Sequence, residues 1–331
     1  MKKQNIIMGI GFVLLFVMVI GVSYAAYKFS AAGTKGADTL IKLTNNQNNS
    51  GLYTITHPAD STLQIGATKS ITEYRYRGAS PKNYVIFNGE IWRIIGVFPT
   101  DDGTGNIENR IKIIKDQSIG EYEWKTDSSN NWTGATLNTE LNTTYLNSLD
   151  STSKSMIGQA KYYLGGKYLT YNNGYADTPL QFYSYERKIQ NGTNCVKTDF
   201  EGTIYLGTEC YYYGTNPNSF IGKLGLMYFS DYGYASSNCE NKRIYDENSL
   251  SNDIRACNTT NWLLFKSNTE WILPQYASRS DVAFDIFSDG YVYNDLVSAR
   301  QYGVRPVLYL ISSAQITGGN GTSTNPYTFG L

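Results

Sequence analysis

The stretch FNGEIWRIIGVF, residues 87–98, constrains the fold of this chain more than any other. Asn88-Gly89 is the residue pair that best tolerates the positive φ of a type I′ hairpin turn, so YVIF and EIWRIIGVF read as antiparallel strands. The second strand hardly alternates polar and apolar residues, and a strand of that kind needs cover on both faces. The hairpin is therefore expected inside the protein, as a platform for later elements. TDDGTGNIEN follows as a polar, Gly-rich loop, and RIKIIKD as a third strand. Asp101, Asp102, Asn106 and Glu108 lack the spacing of an EF-hand loop, so a solvated turn is expected there rather than calcium.

The N-terminus carries a second constraint. Lys2 and Lys3 precede an uncharged run from Ile6 that reaches Tyr27, 22 residues in all. A positive start before an apolar core marks an export signal. Ser23 and Ala25 suit cleavage after Ala25. Read to Tyr27, the run also reaches the roughly 20 residues that span a bilayer. Residues 1–27 are thus either a signal peptide or a single-pass membrane anchor with the N-terminus inside. Residues 28–71, rich in Asn, Gly, Ser and Thr, read as a polar spacer, and 72–331 as one folded domain.

An exported chain suits disulfides. Cys195 and Cys210 lie 15 residues apart and Cys239 and Cys257 lie 18 apart, with no CxxC spacing of a zinc or redox site. Local bridges Cys195–Cys210 and Cys239–Cys257 are expected. Each would contribute about 3 kcal/mol in the chain-entropy model. Between them, residues 191–260 read as a loop-rich region.

GATLNTELNTTYLNSL places Leu137, Leu141, Tyr145 and Leu149 on one stripe, which predicts a helix. SKSMIGQAKYYL predicts a second, capped by Ser151 or Thr152 and ended by Gly165-Gly166. TPLQFYSYERKIQ suggests a third. Strand patterns return in TEWILP, in AFDIFSDGYVYN around a Ser288-Asp289-Gly290 turn, and in YGVRPVLYL.

Twenty-eight basic and 28 acidic residues cancel, which offers no electrostatic case for nucleic acid. His57, the only histidine, falls in the spacer. A Ser/His/Asp or Cys/His site inside the domain is thereby excluded. Asp231, Asp285 and Asp289 suit two-carboxylate chemistry, but no spacing pairs them.

Trp92-Arg93 in the opening strand, GLMYFSDYGYA at 225–235, and Arg305-Pro306 before the closing strand carry a resemblance. Across roughly 80–315 the chain resembles the bacterial C-type-lectin-like group. That group includes formylglycine-generating-enzyme-like domains and surface proteins of Firmicutes. The GVSYA end of the leader, Val22 to Ala25 within it, also resembles camelysin-type signal peptides. The resemblance implies an α+β, C-type-lectin-like domain whose first and last strands pair and whose long loops form one binding face. It implies structural roles for Trp92, Arg93 and Arg305.

No cysteine follows Cys257 to hold copper as formylglycine-generating enzymes do, and the EPN, QPD and WND triplets of calcium-dependent lectins are absent. No metal or cofactor is expected. The expected function is an exported cell-surface binding or adhesion module for a protein or glycan, without catalytic activity. Tyr211, Tyr212, Tyr213, Tyr228, Asp231, Tyr232 and Tyr234 are the candidate contacts, because tyrosine offers large amphipathic area at little rotamer cost. A structural subunit of a surface layer or appendage is the alternative, and a carboxylate-dependent hydrolase the second.

Overall fold

A computed structural model describes residues 35–127, 129–166, 178–190, 192–193, 196–198, 204–206, 209–210, 213–245, 257–277 and 279–331. Residues 1–27, expected to be a signal peptide or membrane anchor, lie outside the described residues, among which no helix is long and apolar enough to cross a membrane.

The protein is α+β, mostly sheet with short helices. Its first strands are β1 (Gly51–His57), β2 (Ile71–Arg77), β3 (Tyr84–Phe87), β4 (Glu90–Asp101), β5 (Ile107–Lys115), β6 (Glu121–Tyr122) and β7 (Ala160–Tyr163). Short strands β8 (Gly192–Thr193), β9 (Val196–Thr198), β10 (Ile204–Leu206) and β11 (Glu209–Cys210) follow, then β12 (Ser219–Gly222) and β13 (Leu224–Gly225). The chain continues with β14 (Glu270–Gln275), β15 (Val282–Ile286), β16 (Val292–Leu296), β17 (Tyr302–Gly303), β18 (Val307–Tyr309), β19 (Gln315–Gly318) and β20 (Tyr327–Gly330). Among the described residues the main sheet has nine strands, ordered β13-β18-β5-β4-β3-β20-β19, with the β1–β2 ribbon joined to β4 through β2. A second sheet runs β16-β15-β14-β17-β6.

The opening hairpin sits where its composition demands. Asn88 (φ 54°) and Gly89 (φ 73°) make the turn, and Val85 opposes Trp92. β4 is buried from Trp92 through Phe98. Its register against β5 shifts between Ile94 and Gly96, a bulge that sets Gly96 opposite Lys112. At Gly96 a side chain would meet the Tyr74 carbonyl oxygen of β2 at 2.1 Å, so only glycine lets β2 approach. Gly96→Ala is expected to lower the urea midpoint, with a loss of about 1–3 kcal/mol from overpacking.

The closing strand β18 pairs with β5, Leu308 opposite Ile113, while β20 lies parallel to β3 with Tyr327 opposite Val85. The hairpin's outer neighbour is therefore the last strand of the chain, well beyond the GVRPVLYL segment.

Of the expected spacer 28–71, the described residues 35–71 are packed into the fold. Gly36–Ile41 is a helix whose Gly36 N–H donates to the Ala314 carbonyl at 2.7 Å. β1 pairs with β2 along its whole length, burying Leu52, Tyr53, Ile55 and His57. GLYTITH, a possible short strand by its sequence, is the first strand of this ribbon.

The expected first helix is present with a defect. Thr136–Thr139 is α-helical, Glu140–Tyr145 forms a π turn, and Leu146–Ser148 resumes the α-helix. Leu137, Leu141 and Leu149 are buried, as the stripe requires. Inside the π turn, Asn142 Oδ1 accepts from the Leu224 N–H at 3.0 Å and its Nδ2 donates to the Leu224 carbonyl at 2.9 Å. One side chain thus replaces a missing neighbour strand for β13.

The second expected helix is much shorter. It spans Ser151–Met156, capped by Asp150 through the Ser153 N–H, and AKYY becomes β7 against β12. Pro179–Glu186 is the third, opened by a Thr178/Gln181 capping box with proline at its start.

Candidate functional site

FSDYGY, residues 229–234, forms a helix that is wholly buried. Tyr228, Asp231, Tyr232 and Tyr234, offered by the sequence as ligand contacts, are 0–3% exposed and touch protein groups rather than solvent. Tyr228 Oη accepts the Tyr163 N–H at 2.8 Å. Tyr232 Oη donates to Asn258 Oδ1 at 2.7 Å, and the Tyr234 carbonyl accepts from Tyr53 Oη at 3.0 Å. Tyr213 is half-buried, its hydroxyl donating to the Ile189 carbonyl at 3.0 Å. Tyr211 and Tyr212 lie outside the described residues, as does the expected Cys195–Cys210 bridge. Cys239 and Cys257 are joined in a disulfide, with their Cα atoms 4.9 Å apart.

Asp231 is the centre of a charged cluster that crosses the core. Its Oδ2 accepts from Lys112 Nζ at 2.5 Å and from the Tyr228 N–H at 2.9 Å. Its Oδ1 accepts from Arg75 Nη1 at 3.0 Å. Arg75 Nε donates to Glu73 Oε2 at 2.9 Å, and the same oxygen meets His57 Nε2 at 3.2 Å. His57 stacks on Tyr183, ring centroids 3.4 Å apart. Beside them Glu186 Oε2 accepts from Arg187 at 2.6 Å, while its Oε1 takes the Ser230 N–H at 2.8 Å. Sequence reading placed His57 in a spacer and passed over Lys112, Glu73, Arg75, Glu186 and Arg187.

Burial and pairing pull these groups in different directions. Burial raises Glu73, but Arg75 and then His57 outweigh it and hold the carboxyl well below its usual range. Burial lowers His57 against the pull of Glu73. Burial also brings Lys112 down to about 8, although Asp231 opposes it, and pushes Glu186 up against Arg187 and Ser230. A narrow cleft opens at Glu73, Lys161, Tyr163, Tyr183 and Arg187, with room for about one water.

Arg305 and Glu270 make a second buried lock between the sheets. Arg305 Nε and Nη2 donate to the two Glu270 oxygens at 2.8 and 2.6 Å, and Nη2 also reaches the Leu263 carbonyl at 2.6 Å. Burial raises the Glu270 carboxyl, against Arg305. A lysine cannot reproduce this fork. Arg305→Lys is expected to cost about 1.5–3 kcal/mol, the range for hydrogen bonds to charged groups, read as a lower melting temperature. Arg93 plays a similar part on β4, donating from Nε to Asn83 Oδ1 at 2.7 Å beneath Tyr84, while Trp92 is fully buried.

A different face carries the half-exposed aromatics. Phe287, Tyr291, Tyr293 and Tyr302 gather on the five-stranded sheet, with Tyr291 and Tyr293 stacked at 5.5 Å and Phe287 6.0 Å from Tyr293. Among them Asp285, in cross-strand register with Trp271 and Tyr293, is fully buried, and neither of its oxygens has a hydrogen-bond partner among the described residues. Burial, then the nearby Asp295, pushes its carboxyl well above the usual range. Among the described residues no group of three His, Cys, Asp or Glu is placed to hold a metal ion.

Comparison with protein-family models, curated proteins and solved structures finds no match to this chain.

Proposed function

We propose that this chain is an exported cell-surface binding or adhesion module on a C-type-lectin-like frame, tethered or released through residues 1–27, and that it is not an enzyme. The observation that carries this reading is the inward commitment of its charged chemistry. Lys112, Asp231, Arg75, Glu73, Glu186 and Arg187 are paired with one another inside the protein, fixing the 228–235 segment to the sheet. The C-type-lectin-like frame draws support from the buried opening hairpin, the last strand beside it, and the Cys239–Cys257 staple. The contact surface on this reading is the Phe287, Tyr291, Tyr293 and Tyr302 face, whose half-exposed rings suit a protein or glycan partner.

A glycan and extracellular-protein array probed with the full chain tests the reading. Saturable binding to one class, lost in Tyr291→Ala/Tyr293→Ala, is the expected result. Self-assembly on raising concentration, with no array binding, would select a structural subunit instead. A carboxylate-dependent hydrolase is the second reading, favoured by Asp285 as a buried acid of raised pKa beside Asp295. Product release from an arrayed glycan, abolished in Asp285→Asn, would select it.

A further inference from the structure

We propose that Lys112 and Asp231 are joined by an amide bond between Nζ and Cγ, an intramolecular cross-link from the middle of β5 to the 229–234 helix. Three observations carry it. The amine and carboxylate touch at 2.5 Å although 119 positions separate them in sequence. Both side chains are sealed from solvent, at 1% and 0% exposure. The rings of Tyr228, Tyr309 and Phe98 surround Nζ, with centroids at 4.2, 5.3 and 5.4 Å.

The chemistry is a condensation. As the free amine, Nζ adds to Cγ, the Nζ–Cγ bond forms and the Cγ–Oδ2 bond breaks. Oδ2 leaves as water with two protons that began on the lysine ammonium. Nothing is oxidised or reduced, and no co-reactant is needed. Negative charge developing on Oδ1 meets the Arg75 guanidinium already bound there at 3.0 Å. The fold holds the two groups at contact, which replaces a bimolecular encounter by an intramolecular one. Burial favours the free amine, as the lowered pKa of Lys112 indicates. It also favours the product, because an amide carries no charge to desolvate. Glu73 on Arg75 and Glu186 on Ser230 are positioning residues. The bulge of β4 opposite Lys112 belongs to the same arrangement, since bulges re-aim neighbouring side chains.

Peptide mapping of the full chain by mass spectrometry, after reduction of disulfides, tests this directly. The expected product is a branched peptide holding Lys112 and Asp231, one water lighter than its parts, with no tryptic cleavage after Lys112. Lys112→Arg should give the unbranched mass. Asp231→Asn should form the same amide with loss of ammonia rather than water. Linear peptides with cleavage after Lys112 in the wild-type protein would overturn the proposal, whether or not the variants fold.

Discussion

Replacing Arg75 by methionine is expected to destabilise the protein by about 3–5 kcal/mol, the cost of leaving buried charge uncompensated. Arg75 is 1% exposed and joins Glu73 to Asp231 across the sheet–helix boundary. Methionine fills much of the volume, so the loss would be electrostatic rather than a cavity effect. Urea unfolding should show a lower midpoint with little change in slope. A loss under about 1 kcal/mol, the range of exposed pairs, would mean that the cluster is effectively solvated.

Acid should separate the roles of His57 and Glu73. The folded pKa of His57 lies below its ordinary 6.5, and that of Glu73 below its ordinary 4.5. Between each pair of values the unfolded chain holds a proton that the folded chain lacks, so acid opposes folding. The His57 contribution is complete above pH 6.5 and is lost as pH falls below it. The Glu73 contribution is present above 4.5 and is lost as pH falls further. Each group contributes up to about 1.4 kcal/mol per pH unit within its window. Glu186, Glu270 and Asp285 have raised values and act in the opposite sense, so differences between variants are the clean measurement. His57→Gln should gain stability relative to wild type from pH 6.5 downward. Glu73→Gln should be less stable than wild type at pH 7 and converge on it below pH 4.5. A constant difference between His57→Gln and wild type from pH 7 to pH 5 would contradict the assignment of a neutral, buried His57.

The hairpin around Asn88-Gly89, the strands near 284–293 and the Cys239–Cys257 pairing were legible because each depends on local residues. The second helix was overextended because Ile157 and the Tyr162–Leu164 run continue an apolar pattern that β12 claims for a strand. The charged cluster was illegible for a topological reason. Lys112 and Asp231 meet only through the tertiary fold, 119 positions apart in sequence, and no short spacing encodes that. A signal did exist in RIKIIKD. Lys112 stands between Ile111 and Ile113 in a strand buried on both faces, and a cation there demands a buried partner. The reverse error concerned GLMYFSDYGYA, whose tyrosines read as display residues. The Tyr228 and Tyr232 hydroxyls are satisfied internally at Tyr163 and Asn258, so composition alone could not distinguish lining from surface.

The Ile189 carbonyl receives both the Tyr213 hydroxyl at 3.0 Å and the Asn218 side-chain amide at 2.9 Å. The chain leaving at 189 and returning at 213 is therefore clasped at its neck, independently of whatever lies between. Lengthening a segment whose ends are already held together costs only about 0.6 kcal/mol per doubling. The two ends are thus held at a separation that the hydrogen bonds at Ile189 set, and the entropic cost of that closure depends only weakly on how many residues lie between 189 and 213.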